Sequence, residues 1–451
     1  MMKRMKPAKR TVVESLAIAI ARSEWTVVSA SKMMKSLFRG KQEWIPSLAE
    51  RIIIAHPNPV SVYQLQKLLV QDSVLRQIIK TKNLKPLDVT SILDRGCVAS
   101  LDWRLPRFSN IGDLASRLGI TTSGLRWLTS SHLPADQRPR HYVATWIRKR
   151  SRGYRLIESP KPLLKRIQRQ ILSEVVDLIP PHYAAHGFRK GRDVVSFARQ
   201  HVGKAFCLRM DMKDFFPSIS AARVSGIFRA TGYDRDVSNA LANLCTTQTH
   251  EDVVQQKRPP GQLGVCDVSR LYLPAHLPQG APTSPGLANL AAYRFDCRLS
   301  GLADKFGATY TRYADDLLFS AGKSLSRIAN QFSIYVGAIA IEEGFAINFR
   351  KTRWQNSSQR QTAAGVVLNQ KVNLARNDFD QLKAILHNCV KYGPQTQNRS
   401  SVPDFQAHLH GRIQWAARLN PSKAQKLFGL FEKIDWTESM TSRVNRRENK
   451  Q

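Results

Sequence analysis

Three carboxylates in two β-rich segments carry the clearest chemistry in this 451-residue chain: Asp211 in the first, Asp315 and Asp316 in the second. Two carboxylates about 4 Å apart repel by roughly 4 kcal/mol at an effective dielectric near 20, so bringing them together needs a reason. A divalent cation removes the penalty, and a hard oxygen donor set suits Mg²⁺. Two such ions would activate an attacking hydroxyl and neutralise a leaving pyrophosphate in phosphoryl transfer. Turn chemistry alone also favours Asp at 315 and 316, so the pair acquires meaning only from its context.

The elements that must position these acids follow from the local patterns. Phe206, Leu208 and Met210 alternate with Cys207, Arg209 and Asp211, which predicts a strand with Asp211 on the face opposite the apolar row. Residues 308–321 read as two β arms around Ala314-Asp315-Asp316, a hairpin with acids at its tip. Residues 141–161 predict two strands joined by a basic turn at Gly153, followed by an amphipathic helix with Leu164, Ile167, Ile171 and Val175 on one face. Residues 110–129 have a helix–turn–helix flavour around Gly119, and packing helices are the favoured reading over a DNA-reading pair. From Asn377 the chain is helical, with Phe379, Leu382, Ile385, Leu386, Cys389 and Val390 in register and further helices either side of Asn420-Pro421. Residues 11–105 read as mostly helical: Val62, Leu65, Leu68, Leu69, Val74, Ile78 and Ile79 form a face, broken by Pro57, Pro59 and Pro86. Residues 250–276 are expected to be a surface insertion, with a solvated loop the favoured reading for Lys257 and Arg258.

Composition narrows the function. The formal charge is +35, with 69 Lys and Arg against 34 Asp and Glu, and every stretch is basic. Residues 1–105 hold 18 basic and 8 acidic side chains, residues 106–369 hold 37 and 19, and residues 370–451 hold 14 and 7. That spread predicts a long path for a phosphate backbone rather than one charged arm. An anionic membrane surface is disfavoured because no long basic amphipathic helix dominates. Hydrophobic residues at 42% rule out wholesale disorder. The six scattered cysteines (Cys97, Cys207, Cys245, Cys266, Cys297 and Cys389) form no Cys-x-x-Cys pair, which favours a reducing cytoplasm over a zinc ribbon or disulfide framework. No apolar run reaches the length of about 18 residues that a span needs. The basic residues 1–10 and apolar residues 11–21 mimic a secretory signal, but Glu14 interrupts the core.

Taken together, several segments resemble reverse transcriptases, in family order and over about residues 108–436. Tyr313-Ala314-Asp315-Asp316 resembles the active-site hairpin, and Asp211 to Phe216 the first palm motif. Leu277 to Pro285, with Asn289 beyond, is similar to the intervening motif; Ile347-Asn348 with Lys351-Thr352 is similar to the next. Tyr154 to Ile157, with Pro160 and Lys161, resembles the fingers. The resemblance implies an α+β right-hand polymerase: fingers and palm with an antiparallel sheet over 106–369, a helical RNA-binding thumb over 370–451, and a basic helical N-terminal extension over 1–105. It implies that Asp211, Asp315 and Asp316 hold two Mg²⁺ ions, Asp316 in a supporting role. Phe216 would be a steric gate against a ribose 2′-hydroxyl. Gln279 and Gly280 would line the nucleotide and template pocket, Arg155 would grip the triphosphate, and Lys351 would give a proton to the pyrophosphate.

Within that family the chain resembles the retron-type bacterial enzymes, whose usual signatures are Asn-Ala-x-x-His and Val-Thr-Gly. Here Phe197-Ala198-Arg199-Gln200-His201 lacks the Asn, and Ala363-Ala364-Gly365 keeps only the Gly. The implied activity is RNA-directed DNA synthesis on a cognate structured noncoding RNA, from deoxynucleoside triphosphates, giving an RNA–DNA hybrid and a branched product. Phage defence with a toxic effector protein and no membrane partner is the expected setting. The competing readings are a group II intron-like, diversity-generating or abortive-infection enzyme, or an RNA-binding scaffold with an inactive palm. The absence of a maturase or endonuclease zinc motif counts against the first, and the intact acids count against the last.

Overall fold

Strands β1 (Tyr142–Arg148) and β2 (Tyr154–Pro160) pair antiparallel from Tyr142–Pro160 to Arg148–Tyr154. The computed structural model describes residues 7–436 except 24, 39, 41, 57–61, 83, 85–102, 109, 130–136, 138, 150–153 and 256–264. Gly153, Pro57, Pro59, Pro86, Cys97, Lys257 and Arg258 lie outside the described residues. The helix Pro162–Glu174 follows β2 and buries Leu164, Ile167 and Ile171 as its periodicity requires.

A five-stranded antiparallel sheet forms the palm. Its central strand, β3 (Phe206–Lys213), pairs on one edge with β5 (Asp316–Ala321), which pairs in turn with β4 (Thr309–Tyr313). The other edge of β3 is shared by β6 (Ala346–Ile347) at Met212–Lys213 and β7 (Arg353–Asn356) at Phe206–Arg209. A small hairpin, β8 (Thr362–Ala363) with β9 (Val366–Val367), follows. Phe206, Leu208 and Met210 enter the main core, as the alternation predicts. The opposite face is not open, however. Cys207 is fully buried in a second cluster with Phe197, Ala198, Leu318, Ala363 and Val366, so the sheet is covered on both sides.

The C-terminal helices Arg376–Tyr392, Phe405–Leu419 and Pro421–Phe431 close a third core around Leu382, Leu386, Cys389, Leu409, Ile413 and Leu427. Val390 departs from the expected face and is exposed. Helices Pro7–Arg22, Val27–Lys35, Trp44–Ala55, Val62–Gln71 and Ser73–Thr81 enclose their own core, which includes Leu16, Ile20, Ile45, Leu65 and Leu69. The apolar stretch of the first helix is thus packed inward, while Val74 is exposed where the sequence placed it on the face. Gly119, at φ +66°, turns the chain between two short helices that bury Leu114, Leu125 and Leu128, the packing role expected of that pair.

One expectation needs correcting. Only part of residues 250–276 is a surface feature: Val254 and Tyr272 pack on Leu156 of β2, and His276 is 2% exposed. The apolar face of the fingers hairpin needs cover, and this segment supplies it. Among the described residues no helix is long and apolar enough to cross a membrane.

Candidate active site

Strand register alone brings the acids together. Asp211 is directly opposite Asp316 across β3 and β5, and the Met212 amide donates to the Asp315 carbonyl at 2.9 Å. Facing residues in such a ladder have Cβ atoms about 4.5–5.5 Å apart. The Ala314 turn that joins β4 to β5 has φ +56°, which sets Asp315 at the tip of the hairpin. Strand β6 ends at Ile347, the Asn348 amide donates to the Asp211 carbonyl, and the turn Phe349–Lys351 carries Lys351 onto the Asp211 carboxylate.

Two cations already face these acids. Lys351 Nζ donates to Asp211 Oδ1 and Oδ2 at 3.0 and 3.1 Å. Arg209 donates to both oxygens of Asp316, from Nε at 3.0 Å and from Nη2 at 2.8 and 3.0 Å. Among the described residues no lysine or arginine donates a hydrogen bond to the Asp315 carboxyl. Burial first, then the charges of Asp211 and Asp316, push it up to about 6, though the Lys351 charge opposes the rise. Burial also raises Asp316 above its ordinary value, outweighing the opposing pull of Arg209. Among the described residues no ready-made cage of three His, Cys, Asp or Glu ligands exists. The donor set nonetheless fits divalent cations: paired carboxylates that repel one another, one of them with its charge disfavoured by burial, gain most from a bound positive charge.

The hairpin is braced on both faces by groups that no periodicity announces. Arg312 and Asp296 are both fully buried and joined through two bonds, Nε to Oδ1 at 2.8 Å and Nη2 to Oδ2 at 2.6 Å. The Tyr310 hydroxyl also donates to Asp296, and Arg312 Nη1 donates to the Ala314 carbonyl and to Asn289 Oδ1. On the other face His201 bridges the Ser320 and Thr311 hydroxyls, 2.7 Å from each. Burial holds its imidazole neutral, down at about 3. The signature histidine therefore grips the hairpin from inside the protein, not RNA. Phe197, in place of the signature Asn, packs its ring 5.7 Å from that of Tyr313. Ala363, in place of the signature Val, is fully buried in the same cluster as Phe197.

The remaining sequence candidates divide into two groups. Phe216 is half-buried against Phe215 and beside Phe188, whose ring in turn meets that of the hairpin Tyr313. Gln279, Gly280 and Arg155 belong instead with the fingers hairpin. The Glu158 amide donates to the Gln279 carbonyl at 2.9 Å, and a Cβ at Gly280, which has φ +133°, would meet the Glu158 carbonyl at 3.0 Å. Arg155 is exposed on β2, three residues before Glu158. The buried Glu158 carboxylate joins His276 at 2.9 Å and accepts from the Thr249 hydroxyl at 2.6 Å. Arg209 was open to discovery from sequence, since it shares a strand face with Asp211 two residues away. Arg312 was signalled only by its charge in an otherwise inward β arm.

A sheet of this kind with carboxylates at a hairpin tip defines a polymerase palm, and the comparisons agree. The family "Reverse transcriptase (RNA-dependent DNA polymerase)" matches residues 147–371. The chain is 39% identical over 327 residues to the retron Mx65 reverse transcriptase of Myxococcus xanthus, covering 72% of each. It is 36% identical to the retron Mx162 enzyme of the same organism, covering 72% of this chain and 67% of that one. The retron Ec86 reverse transcriptase of Escherichia coli is 31% identical, over 63% of this chain and 79% of its own. The chain belongs to the retron reverse transcriptases and is an RNA-directed DNA polymerase.

Proposed function

We propose that the enzyme copies part of a cognate structured noncoding RNA into single-stranded DNA, using Asp211 and Asp315 to hold two Mg²⁺ ions and Asp316 to support them. The observation that carries this reading is the cross-strand pairing of Asp211 with Asp316 beneath Asp315, with Lys351 standing in as a cation. When bound, the metal ions would supply Lewis acidity at the attacking hydroxyl and the phosphates. The chain's own residues orient and protonate. Arg209 fixes the Asp316 carboxylate, leaving Asp315 as the freer donor. Arg155 grips the triphosphate of the incoming deoxynucleotide, its planar fork matching phosphate oxygens. Gln279 and Gly280 line the pocket that the nucleotide shares with the template. Phe216 stands where a ribose 2′-hydroxyl would lie. Lys351 gives a proton to the departing pyrophosphate.

In the same proposal residues 106–369 act as fingers and palm, residues 370–451 as the thumb that grips the RNA stem-loop by shape and ribose contacts, and residues 1–105 as a basic extension. The product is a branched RNA–DNA molecule with an RNA–DNA hybrid, made in the cytoplasm in a phage-defence system with a toxic effector. Co-expression with the adjacent RNA gene tests it. Small DNA should appear with the intact enzyme and vanish with Asp315→Asn or Asp316→Asn. Robust DNA from either variant would sink the metal assignment. A protein that binds the RNA equally well but incorporates no nucleotide in Mg²⁺ would indicate a scaffold with an inactive palm.

A further inference from the structure

Phe188 has three features that rarely occur together. Its backbone is left-handed, at φ +57°, a conformation in which a bulky aromatic is a genuine outlier. Its ring is 49% exposed although the main core lies close by. That ring touches two others at the candidate active site: Phe216 at 6.1 Å and Tyr313 at 6.5 Å between centroids. Strain of this kind persists only where the surroundings over-determine it, and it concentrates at functional sites.

The surroundings do over-determine it. The preceding segment lies along β4, with the Arg312 amide donating to the Ala184 carbonyl and the His186 amide to the Arg312 carbonyl. Gly187 comes so close to the hairpin turn that a Cβ there would meet the Ala314 nitrogen at 2.6 Å. Its carbonyl accepts from Asn289 Nδ2 at 2.8 Å. The chain is therefore clamped immediately before Phe188, and the positive φ turns the ring back over the edge of the site. Ala314 and Asp214, two more of the non-glycine residues with positive φ, flank the same site.

We propose that Phe188 is a positioning residue for sugar selection: it braces the Phe216 ring, from the hairpin side, in the place a ribose 2′-hydroxyl would occupy. Phe215 packs on the Phe216 ring, but on the hairpin side an unbraced ring can turn aside, and a 2′-hydroxyl would need only a small displacement of it. A second ring, fixed by a clamped backbone and seated between Phe216 and Tyr313, blocks that escape. The discriminated ligand is thus a ribonucleoside triphosphate against its deoxy counterpart. The inference rests on the gate reading of Phe216 and deepens it.

Primer extension on a poly(rC) template with an oligo(dG) primer tests both, with kcat/KM measured for dGTP and GTP. Phe216→Ala should raise the relative use of GTP. Phe188→Ala should raise it by about threefold to tenfold, the worth of one aromatic pair. Phe188→Tyr, which keeps the ring, should return the ratio to that of the unaltered enzyme. The double variant should be no less selective than Phe216→Ala alone, because the brace acts only through the gate. If Phe216→Ala shifts the ratio and Phe188→Ala does not, the brace is refuted and the gate stands. If the two effects simply multiply in the double variant, Phe188 acts independently and the brace is again refuted. If Phe216→Ala leaves the ratio unchanged, the gate reading fails and takes the inference with it. Should Phe188→Ala be inactive, Phe188→Leu gives the same ratio measurement with the volume largely kept, and an unchanged ratio there overturns the inference.

Discussion

Lys351 and Asp211 are 140 residues apart in the chain, yet the lysine ammonium contacts both oxygens of the carboxylate, at 3.0 and 3.1 Å. The turn after β6 delivers the amine to the point where positive charge is needed. In the proposed mechanism the same amine would be available to the pyrophosphate once a metal ion took over the carboxylate.

Replacing it should separate these roles. Lys351→Met should lower kcat by about 10²-fold, the lower range for a lost general acid, and flatten the alkaline side of the pH–rate profile. The KM for deoxynucleotide should change far less. Single-turnover incorporation across pH reads this, and an unaltered kcat would remove Lys351 from the chemistry.

Gly187 offers a sharper geometric test. Any Cβ there must displace the Ala314 backbone, since a contact at 2.6 Å is with main chain and not a flexible side chain. Gly187→Ala should therefore move the Asp315 tip and cost about 10²-fold or more in incorporation, the scale expected for a displacement near 1 Å. Melting temperature should fall only modestly. Primer extension beside a thermal melt decides the matter: equal activity would mean the turn is not held by this contact.

The two unusual signature positions share one buried cluster, so their sizes should be coupled. Phe197→Asn removes a ring and buries an amide without a designed partner, a loss of about 3–5 kcal/mol. Ala363→Val alone overfills the cluster and should cost about 1–3 kcal/mol. Together they should be less damaging than the sum, because the added methyl groups occupy part of the space the ring leaves. Denaturation of the four proteins forms the cycle. Strict additivity would show that the two positions do not share space.

His201 gives the protein a pH-dependent weakness. Its folded value, about 3, lies below the ordinary 6.5, so the unfolded chain binds the extra proton first. The stability it contributes is complete above about pH 6.5 and is lost as pH falls toward 3. At pH 5 the loss is about 2 kcal/mol. His182, down at about 4, and His186, down at about 3, add the same sign, burial being the main cause in each. His201→Gln should be less stable at pH 7.5 and should lose less on going to pH 5. Parallel melting curves for the two proteins across that range would contradict this.

Much of the site was legible because its parts are contiguous in the chain. Asp315 and Asp316 share a turn, Phe216 follows Asp211 within one motif, and the β arms announce the hairpin by composition. The bracing was not legible, because it joins residues with no periodic relation: Arg209 with Asp316, His201 with Thr311 and Ser320, Glu158 with His276. Alternation also misled in one respect. It placed Asp211 opposite the apolar row of β3 without indicating the second layer that buries Cys207 on that face. Residues 250–276 looked like a solvated insertion for a similar reason: their apolar positions are too few to show a period, yet Tyr272 and His276 are buried.

The link between Glu158 and the Gln279 loop has a consequence for motion. The β2 strand is fastened to that loop by a main-chain bond, by the close approach at Gly280 and by a buried carboxylate–imidazole pair. A hinge cannot run through such a junction without exposing Glu158 to an unpaired, desolvated state. If the proposed fingers close on an incoming nucleotide, Arg155, Gln279 and Gly280 would therefore travel as one rigid body, and the proposed triphosphate grip and template side of the pocket would arrive together in a single step.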